Sequence, residues 1–331
     1  YKDEVISYLK QLSGRDENDK LNSLFIEDMI NVKKNVPKDK SGNIIAVYYA
    51  YGEILDAPGS STEDCIDVQK MCKDLRKLRD NDDVKAVVLR VNSPGGSAYG
   101  SDQIWREVVR LKEKKPVIVS MGDYAASGGY YISCAANRIF ADPTTLTGSI
   151  GIFGMMYSGE KLFTETLGLN FDVVKTNKMA DLGASLGPVL TRPLNASEQE
   201  LMQNYVNRGY KLFVNRCAEG RKMSTEAIEK VAEGRVWTGA MAKDLGLVDE
   251  LGGIDKALNA AAQAGIENYS IIGYPEKENI FASLLGNQKK HYINSEIKEY
   301  LGSYYNSFKA LENIKDANCI QARMPFDPNI Q

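Results

Sequence analysis

Histidine is nearly missing from this chain: 331 residues contain one, His291. A serine or cysteine nucleophile paired with an imidazole therefore has a single candidate base, and that base lies in a polar stretch far from the apolar segments. Paired thiols are missing too. The five cysteines, Cys65, Cys72, Cys134, Cys217 and Cys319, form no CxxC pair, so with one histidine a structural zinc centre has no ligand set. They read as buried free thiols, with Cys65 and Cys72, seven apart, on the buried face of one helix. There is no basic excess: 41 Lys and Arg stand against 44 Asp and Glu, for a net charge of −3. The two signs are interspersed, which leaves no electrostatic footprint for nucleic acid. No run of eighteen apolar residues occurs, so no spanning helix is expected within the chain, and no signal-peptide pattern opens it. The chain starts at Tyr1 rather than Met, which reads as a fragment or a processed form.

What is present is an ordinary globular composition, 43% hydrophobic and 26% charged, in a pattern of alternating elements. Residues 1–43 are polar and helix-leaning and end in a Lys-rich connector, Lys33–Ser41 (KKNVPKDKS). They are expected to form a helical approach to a domain spanning 44–275. Within that domain Ile44–Ala50 reads as a strand. Ser61 or Thr62 is placed to cap a helix running to about Arg79, with Cys65, Val68, Cys72, Leu75 and Leu78 recurring at spacings of three and four. Val84–Val91 and Pro116–Met121 are apolar strands on either side of a helix at Ser101–Lys114. A helix from Gly128 to Ala136 and short strands at Ile139–Ala141 and Ser149–Phe153 follow. Apolar strands alternating with helices predict stacked βαβ units around a parallel sheet buried on both faces. Beyond residue 195 the pattern is mainly helical: Glu198–Cys217, capped by Asn195 or Ser197, with Ser197 and Glu200 at capping-box spacing, then Thr225–Glu233 capped by Ser224, then Leu258–Ala264, with a strand at Ile271–Tyr274. Residues 276–331 are polar and read as a peripheral extension.

Two glycine loops follow buried strands, where ligands of α/β folds collect. The first, Ser93-Pro94-Gly95-Gly96, allows a turn with no side chain over it, and its amides can face a developing oxyanion. The second, Gly122–Tyr131 (GDYAASGGYY), sets Ser127 just ahead of a helix, where amides and dipole favour an anion. Taken singly, the first loop is also what a plain turn looks like, and the second what close helix–sheet packing looks like. One strand–helix unit apart, they point to a serine nucleophile. With His291 remote, its base is then a lysine, whose pKa must fall from about 10.4 to roughly 7–8. Lys161, Lys175 and Lys178 are the candidates downstream. Ser158–Lys161 also matches an SxxK pattern, but the companion motifs are missing and it reads as a surface turn.

At these residues the chain resembles the signal peptide peptidase A family of serine proteases. The resemblance rests on VVLRVNSPGGS, MGDYAASGGYYIS, TLTGSIGIFG and GRVWTGAMAKDLGLVDELGG, four blocks in the family's order, and runs from about Ile44 to Ala264. It implies a ClpP/crotonase-like α/β fold with an added helical region, and a Ser-Lys dyad acting on cleaved signal peptides or other extended apolar peptides without metal or cofactor. By motif match Ser127 is the nucleophile, and Gly96 and Gly128 supply the oxyanion amides. One position departs from the short, one-repeat members: FDVVKTNKMADLG puts Ala180 where they carry the base. The chain thus resembles the second, serine-bearing repeat of the long two-repeat members. The resemblance then implies a base outside this chain, with Lys178 as the fallback within it. It further implies a ring- or dome-shaped homo-oligomer. It also implies a membrane anchor through an N-terminal segment not in this chain, and a protease body on the extracytoplasmic (periplasmic) side of the bacterial inner membrane.

Two other classes of function compete. A crotonase-type enzyme acting on an acyl-coenzyme A also aims amides at an oxyanion, but gives no role to the serine after Ala125-Ala126. A non-catalytic peptide-binding or scaffold half accounts for a serine without its base.

Overall fold

The computed structural model describes residues 2–16, 19, 42–56, 65–186, 189–263, 265–266, 268–275 and 320–323. The chain divides into two units, Tyr1–Lys40 and Ser41–Gln331. The described part of the first holds one helix, α1 (Lys2–Leu12).

The second unit opens with β1 (Ile44–Tyr51), β2 (Glu53–Leu55) and β3 (Cys65–Asp67), then α2 (Val68–Asp80), β4 (Val84–Ser93) and β5 (Gly95–Ser97). Next come α3 (Ala98–Lys112), β6 (Val117–Ala126) and α4 (Gly128–Ser133). A run of short strands follows: β7 (Arg138–Ala141), β8 (Leu146–Gly148), β9 (Phe153–Gly154) and β10 (Tyr157–Ser158). After a π-helical turn at Leu162–Thr166 come β11 (Ser185–Leu186) and β12 (Val189–Leu190). The chain then becomes mainly helical: α5 (Ala196–Arg221), α6 (Thr225–Val231), β13 (Val236–Thr238), α7 (Gly239–Asp244), β14 (Glu250–Leu251), α8 (Ile254–Ala262) and β15 (Ser270–Tyr274). The last described strand is β16 (Ile320–Arg323).

The main sheet runs β13-β8-β6-β4-β1-β15, with β7 and β14 branching from β6. All its pairs are parallel except β13 with β8. Both faces are covered, which is why its strands read as continuous apolar runs. Ala46, Tyr48, Val87, Leu89 and Val119 point into a large core shared with α2 to α6. Ile45, Val47, Ala86, Val88 and Ile118 point the other way, onto Ala257 and Ala261 of α8.

Several expected boundaries move, each for a local reason. Cys65–Asp67 is a strand parallel to β2, and α2 starts at Val68, capped by the Asp67 carboxylate accepting from the Lys70 N–H. Cys65 is therefore not on the helix with Cys72, and Ser61 and Thr62 lie outside the described residues. The capping box of α5 is built by Asn195 and Glu198, not by Ser197 and Glu200. The carboxylate of Glu198 is also where the guanidinium of Arg192 docks, at 2.7 and 2.8 Å, and that double use fixes the register. Of the strand expected at Ser149–Phe153 only Phe153 is extended, as the first residue of β9. Ser149 instead turns with φ 48° and donates its N–H to the Arg235 carbonyl, which separates β8 from β9. Of the extension at 276–331, residues Ile320–Arg323 form a strand in a second sheet of order β3-β2-β5-β16-β9.

Candidate active site

β6 carries the site. The sequence reading ended this strand at Met121, but it runs on to Ala126 and delivers Ser127 directly to the start of α4. The extra length comes with an irregularity. Val91 pairs with Met121 and Ser93 with Ala125, so β6 advances four residues while β4 advances two. The Asn92 side chain occupies this bulge and accepts the Tyr124 N–H at 3.1 Å. Below it the Arg90 guanidinium donates to Ser120 Oγ and the Met121 carbonyl. Bulges of this kind re-aim the residues beyond them. Past the bulge, Tyr124–Ala126 leaves the β7 side and pairs instead with Leu146–Gly148. Thr147 Oγ1 donates to the Ala125 carbonyl at 2.7 Å and fixes that pairing.

Ser127 then takes φ 54° and ψ −115°, a region that residues with a Cβ enter only under strain of about 1–3 kcal/mol. Two backbone bonds hold it there: its N–H donates to the Gly148 carbonyl at 2.9 Å, and its carbonyl accepts the Tyr131 N–H at 2.8 Å. The side chain is buried, and its Oγ has no hydrogen-bond partner among the described residues. A buried hydroxyl is normally paired, so strained backbone and an unpartnered Oγ together mark this serine out.

The glycine loop of β5 packs against α4. Two glycines make that approach possible. A Cβ on Gly129 would stand 2.6 Å from the Ser93 carbonyl oxygen, and one on Gly96, at φ +150°, would stand 2.2 Å from that of Ile54. Gly96 is thus the residue through which β5 pairs with β2, and Gly129 the one that lets α4 settle on the end of β4. Gly128 is the first residue of α4, whose first-turn amides have no acceptor inside the helix. Ser93 Oγ accepts the Gly95 N–H at 3.2 Å, and Ser97 Oγ bonds Asp56 at 2.7 Å while accepting the Gly100 N–H as the cap of α3.

No described lysine reaches Ser127. Lys175 pairs with Asp181 at 2.9 Å, while Lys161 and Lys178 are exposed. Lys178 belongs to the segment between the π-helical turn and β11 that exposes Leu167, Leu169, Phe171 and Val174. Its base is an ion cluster that sequence reasoning did not single out: Arg192 bridges Asp181 and Glu198. His291 lies outside the described residues. Among the described residues no group of histidine, cysteine and carboxylate side chains is placed to hold a metal ion.

Comparison with known proteins adds an independent finding. The model of peptidase family S49 matches residues 109–266, and that of Clp protease matches residues 59–145. The second match agrees with the parallel sheet and gives the fold class, ClpP-like α/β. The chain is 39% identical to the chloroplastic serine protease SPPA of Arabidopsis thaliana over 80% of its own length and 39% of that protein's. It is 41% identical to protease 4 of Salmonella typhi over 72% and 38% of the two lengths. With a putative signal peptide peptidase SppA of Enterococcus faecium it shares 36% identity over 66% and 63%. The chain thus spans about two fifths of the length of the first two relatives.

Proposed function

The chain belongs to peptidase family S49, and on that premise we propose that it supplies the nucleophile of a serine endopeptidase whose general base lies outside it. The observation that carries this reading is Ser127 itself: a strained backbone at the end of a parallel strand, with a buried and unpartnered Oγ. Strain of that kind persists only where the surroundings over-determine it, and it clusters at active sites.

The reaction that fits is acyl transfer. A neutral lysine amine takes the proton of Ser127 as Oγ attacks the scissile carbonyl, the role lysine plays in Ser-Lys variants of the triad. The amides of Gly96 and Gly128 face the oxyanion, and one such donor is typically worth about 10²–10³ in rate. The lysinium returns the proton to the leaving amine, and water hydrolyses the acyl-enzyme by the same route. The lysine comes from a partner repeat or subunit, since Ala180 stands at its position here. No metal or cofactor takes part. The substrates are cleaved signal peptides or other extended apolar peptides. The enzyme works as a ring- or dome-shaped homo-oligomer, anchored in the bacterial inner membrane by a segment outside this chain, with its protease body on the periplasmic side. Among the described residues no helix is long and apolar enough to cross a membrane.

Fluorophosphonate labelling tests the assignment. We expect Ser127 to label when the chain is joined to a lysine-bearing first repeat, and labelling to vanish in Ser127→Ala. No labelling of the joined protein would overturn it. The unpartnered Oγ also favours a second reading of the chain taken alone, as a peptide-binding scaffold without catalysis. Peptide cleavage by this chain alone would sink both that reading and the external base.

A further inference from the structure

The second sheet contains a strand that does not belong to its neighbourhood in sequence. β16 lies between β5 and β9 and is antiparallel to both. Gln321 stands opposite Ser97, Ala322 opposite Gly96 and Arg323 opposite Gly95, while Ile320 and Gln321 face Gly154 and Phe153 on the other side. β5 is the glycine loop assigned to the oxyanion. β9 follows the turn at Gly148-Ser149 whose first carbonyl holds the Ser127 N–H. β16 also lies against α3 and α4, the second of which starts immediately after Ser127.

Without β16, β5 and β9 bound a slot one strand wide. Neighbouring strands stand about 4.7–4.9 Å apart, so the two edges would be roughly 9.5 Å from each other. Both would present unpaired N–H and C=O groups, which need partners when buried. A slot of that width, with two polar edges and a glycine wall, accepts an extended peptide by strand addition. We infer that Ile320–Arg323 is a built-in occupant of the peptide-binding groove, and that an incoming peptide must displace it and adopt its direction, antiparallel to β5. This rests on the reading of the groove as the substrate site. It adds the regulation of that site: a competitor carried on the same chain lowers the apparent affinity for any external peptide by the fraction of time the groove stands free.

The test is a binding measurement on the full chain, made in Ser127→Ala so that no turnover intervenes. The probe is a fluorescent peptide with the sequence of residues 318–324 (NCIQARM). Ala322→Pro removes the strand's N–H opposite Gly96 and cannot sit in a strand paired on both edges. A second variant replaces residues 320–323 with Gly-Ser-Gly-Ser and keeps the experiment decisive if the first fails to fold. Both should bind the peptide at least about tenfold more tightly than the parent. The amides of Gly96 and Gly154 should exchange faster in both and regain protection when the peptide is added. Equal affinity in parent and variants, or equal binding of a scrambled peptide, would overturn the inference. The two readings fail separately: unlabelled Ser127 in the joined protein removes the protease and leaves this binding result standing, whereas equal affinity removes the tethered competitor and leaves labelling untouched.

Discussion

Removing the hydroxyl of Ser127 should stabilise the protein. Its Oγ is fully enclosed and has no hydrogen-bond partner among the described residues, and protein mutational data put the burial of such a group at about 1–3 kcal/mol. Ser127→Ala deletes the oxygen and keeps the Cβ, so the folded state should gain about that amount. A gain of 1 kcal/mol corresponds to roughly 2–4 °C in Tm for a domain of 150–250 residues. The backbone is a separate contribution. At φ 54° and ψ −115° the alanine keeps the strain, about 1–3 kcal/mol, and Ser127→Gly releases it. Glycine gives back about 0.4–1 kcal/mol through the entropy of the unfolded chain and about 0.8 kcal/mol through the lost carbon. The glycine variant should therefore lie between about 1 kcal/mol below and about 2 kcal/mol above the alanine variant, with both above the parent. Equilibrium unfolding in urea, with unchanged m-values, measures both. An alanine variant no more stable than the parent would show that Oγ is satisfied in solution. A glycine variant more than about 1.5 kcal/mol below alanine would show that the backbone there is relaxed. Either result removes the physical ground for singling out this serine.

Other outcomes follow from the same geometry. Gly96→Ala forces a Cβ to within 2.2 Å of the Ile54 carbonyl oxygen. It should cost at least about 3 kcal/mol, the upper end of overpacking penalties, with the thermal melt as readout; a loss under about 1 kcal/mol would show that β2 and β5 do not pair through this residue. The Arg192 guanidinium, and after it the Asn195 N–H, holds the Glu198 carboxyl down at about 2 from an ordinary 4.5. Asp181 is lowered too, by Arg192 first and then Lys175. Depressed carboxylates lend stability above their unfolded pKa and lose it as pH falls towards the folded one. Amide protection in 181–186 and 189–198, corrected for the intrinsic pH dependence of exchange, should therefore fall between about pH 4.5 and pH 2, and Glu198→Gln should flatten that dependence; a flat profile in the parent would refute the pairing. Burial pushes the Cys72 thiol up to about 11, so iodoacetamide at pH 8 should modify it only after unfolding, as peptide mass mapping would show.

How much of this is legible in the sequence depends on the range of the interaction. Ser127 and the two glycine loops can be picked out because their short motifs constrain the backbone locally, whatever lies around them. Parallel strands buried on both faces, such as Val84–Ser93, can be read from their apolar runs. The second half of β6 cannot. Gly122 and Asp123 are poor strand formers, and the stretch to Ala125 is held extended by partners remote in sequence, Asn92 and Thr147. The cap of α2 fails for a related reason. Cys65 fits the helical spacing of Val68, Cys72, Leu75 and Leu78, but β2 recruits Cys65–Asp67 as a strand, and the aspartate that ends the strand becomes the cap. The Arg192 bridge is hidden because each of its charges looks, in sequence, like a solvated surface residue. β16 is the extreme case. Four residues in a polar stretch gain their structure only from two edges that lie far upstream, and no local pattern signals such a pairing.

The proposed division of the site has a consequence that neither half has alone. The expensive parts are all within this chain: the bulge that re-aims β6, the strained Ser127, the glycine wall at Gly96 and Gly129. These are interactions of the folded domain and exist before any partner arrives. The missing part is one amine, and general-base catalysis is worth typically about 10²–10⁴ in rate. A pre-strained serine without its base is therefore stable but slow, and adding the base changes the rate by orders of magnitude without refolding anything. Occupation of the groove by Ile320–Arg323 works in the same direction through a different term, since it acts on peptide affinity and leaves the serine's chemistry alone. Assembly then sets whether the serine can react, and displacement of the strand sets what reaches it. The two controls multiply, because they govern different steps of one turnover.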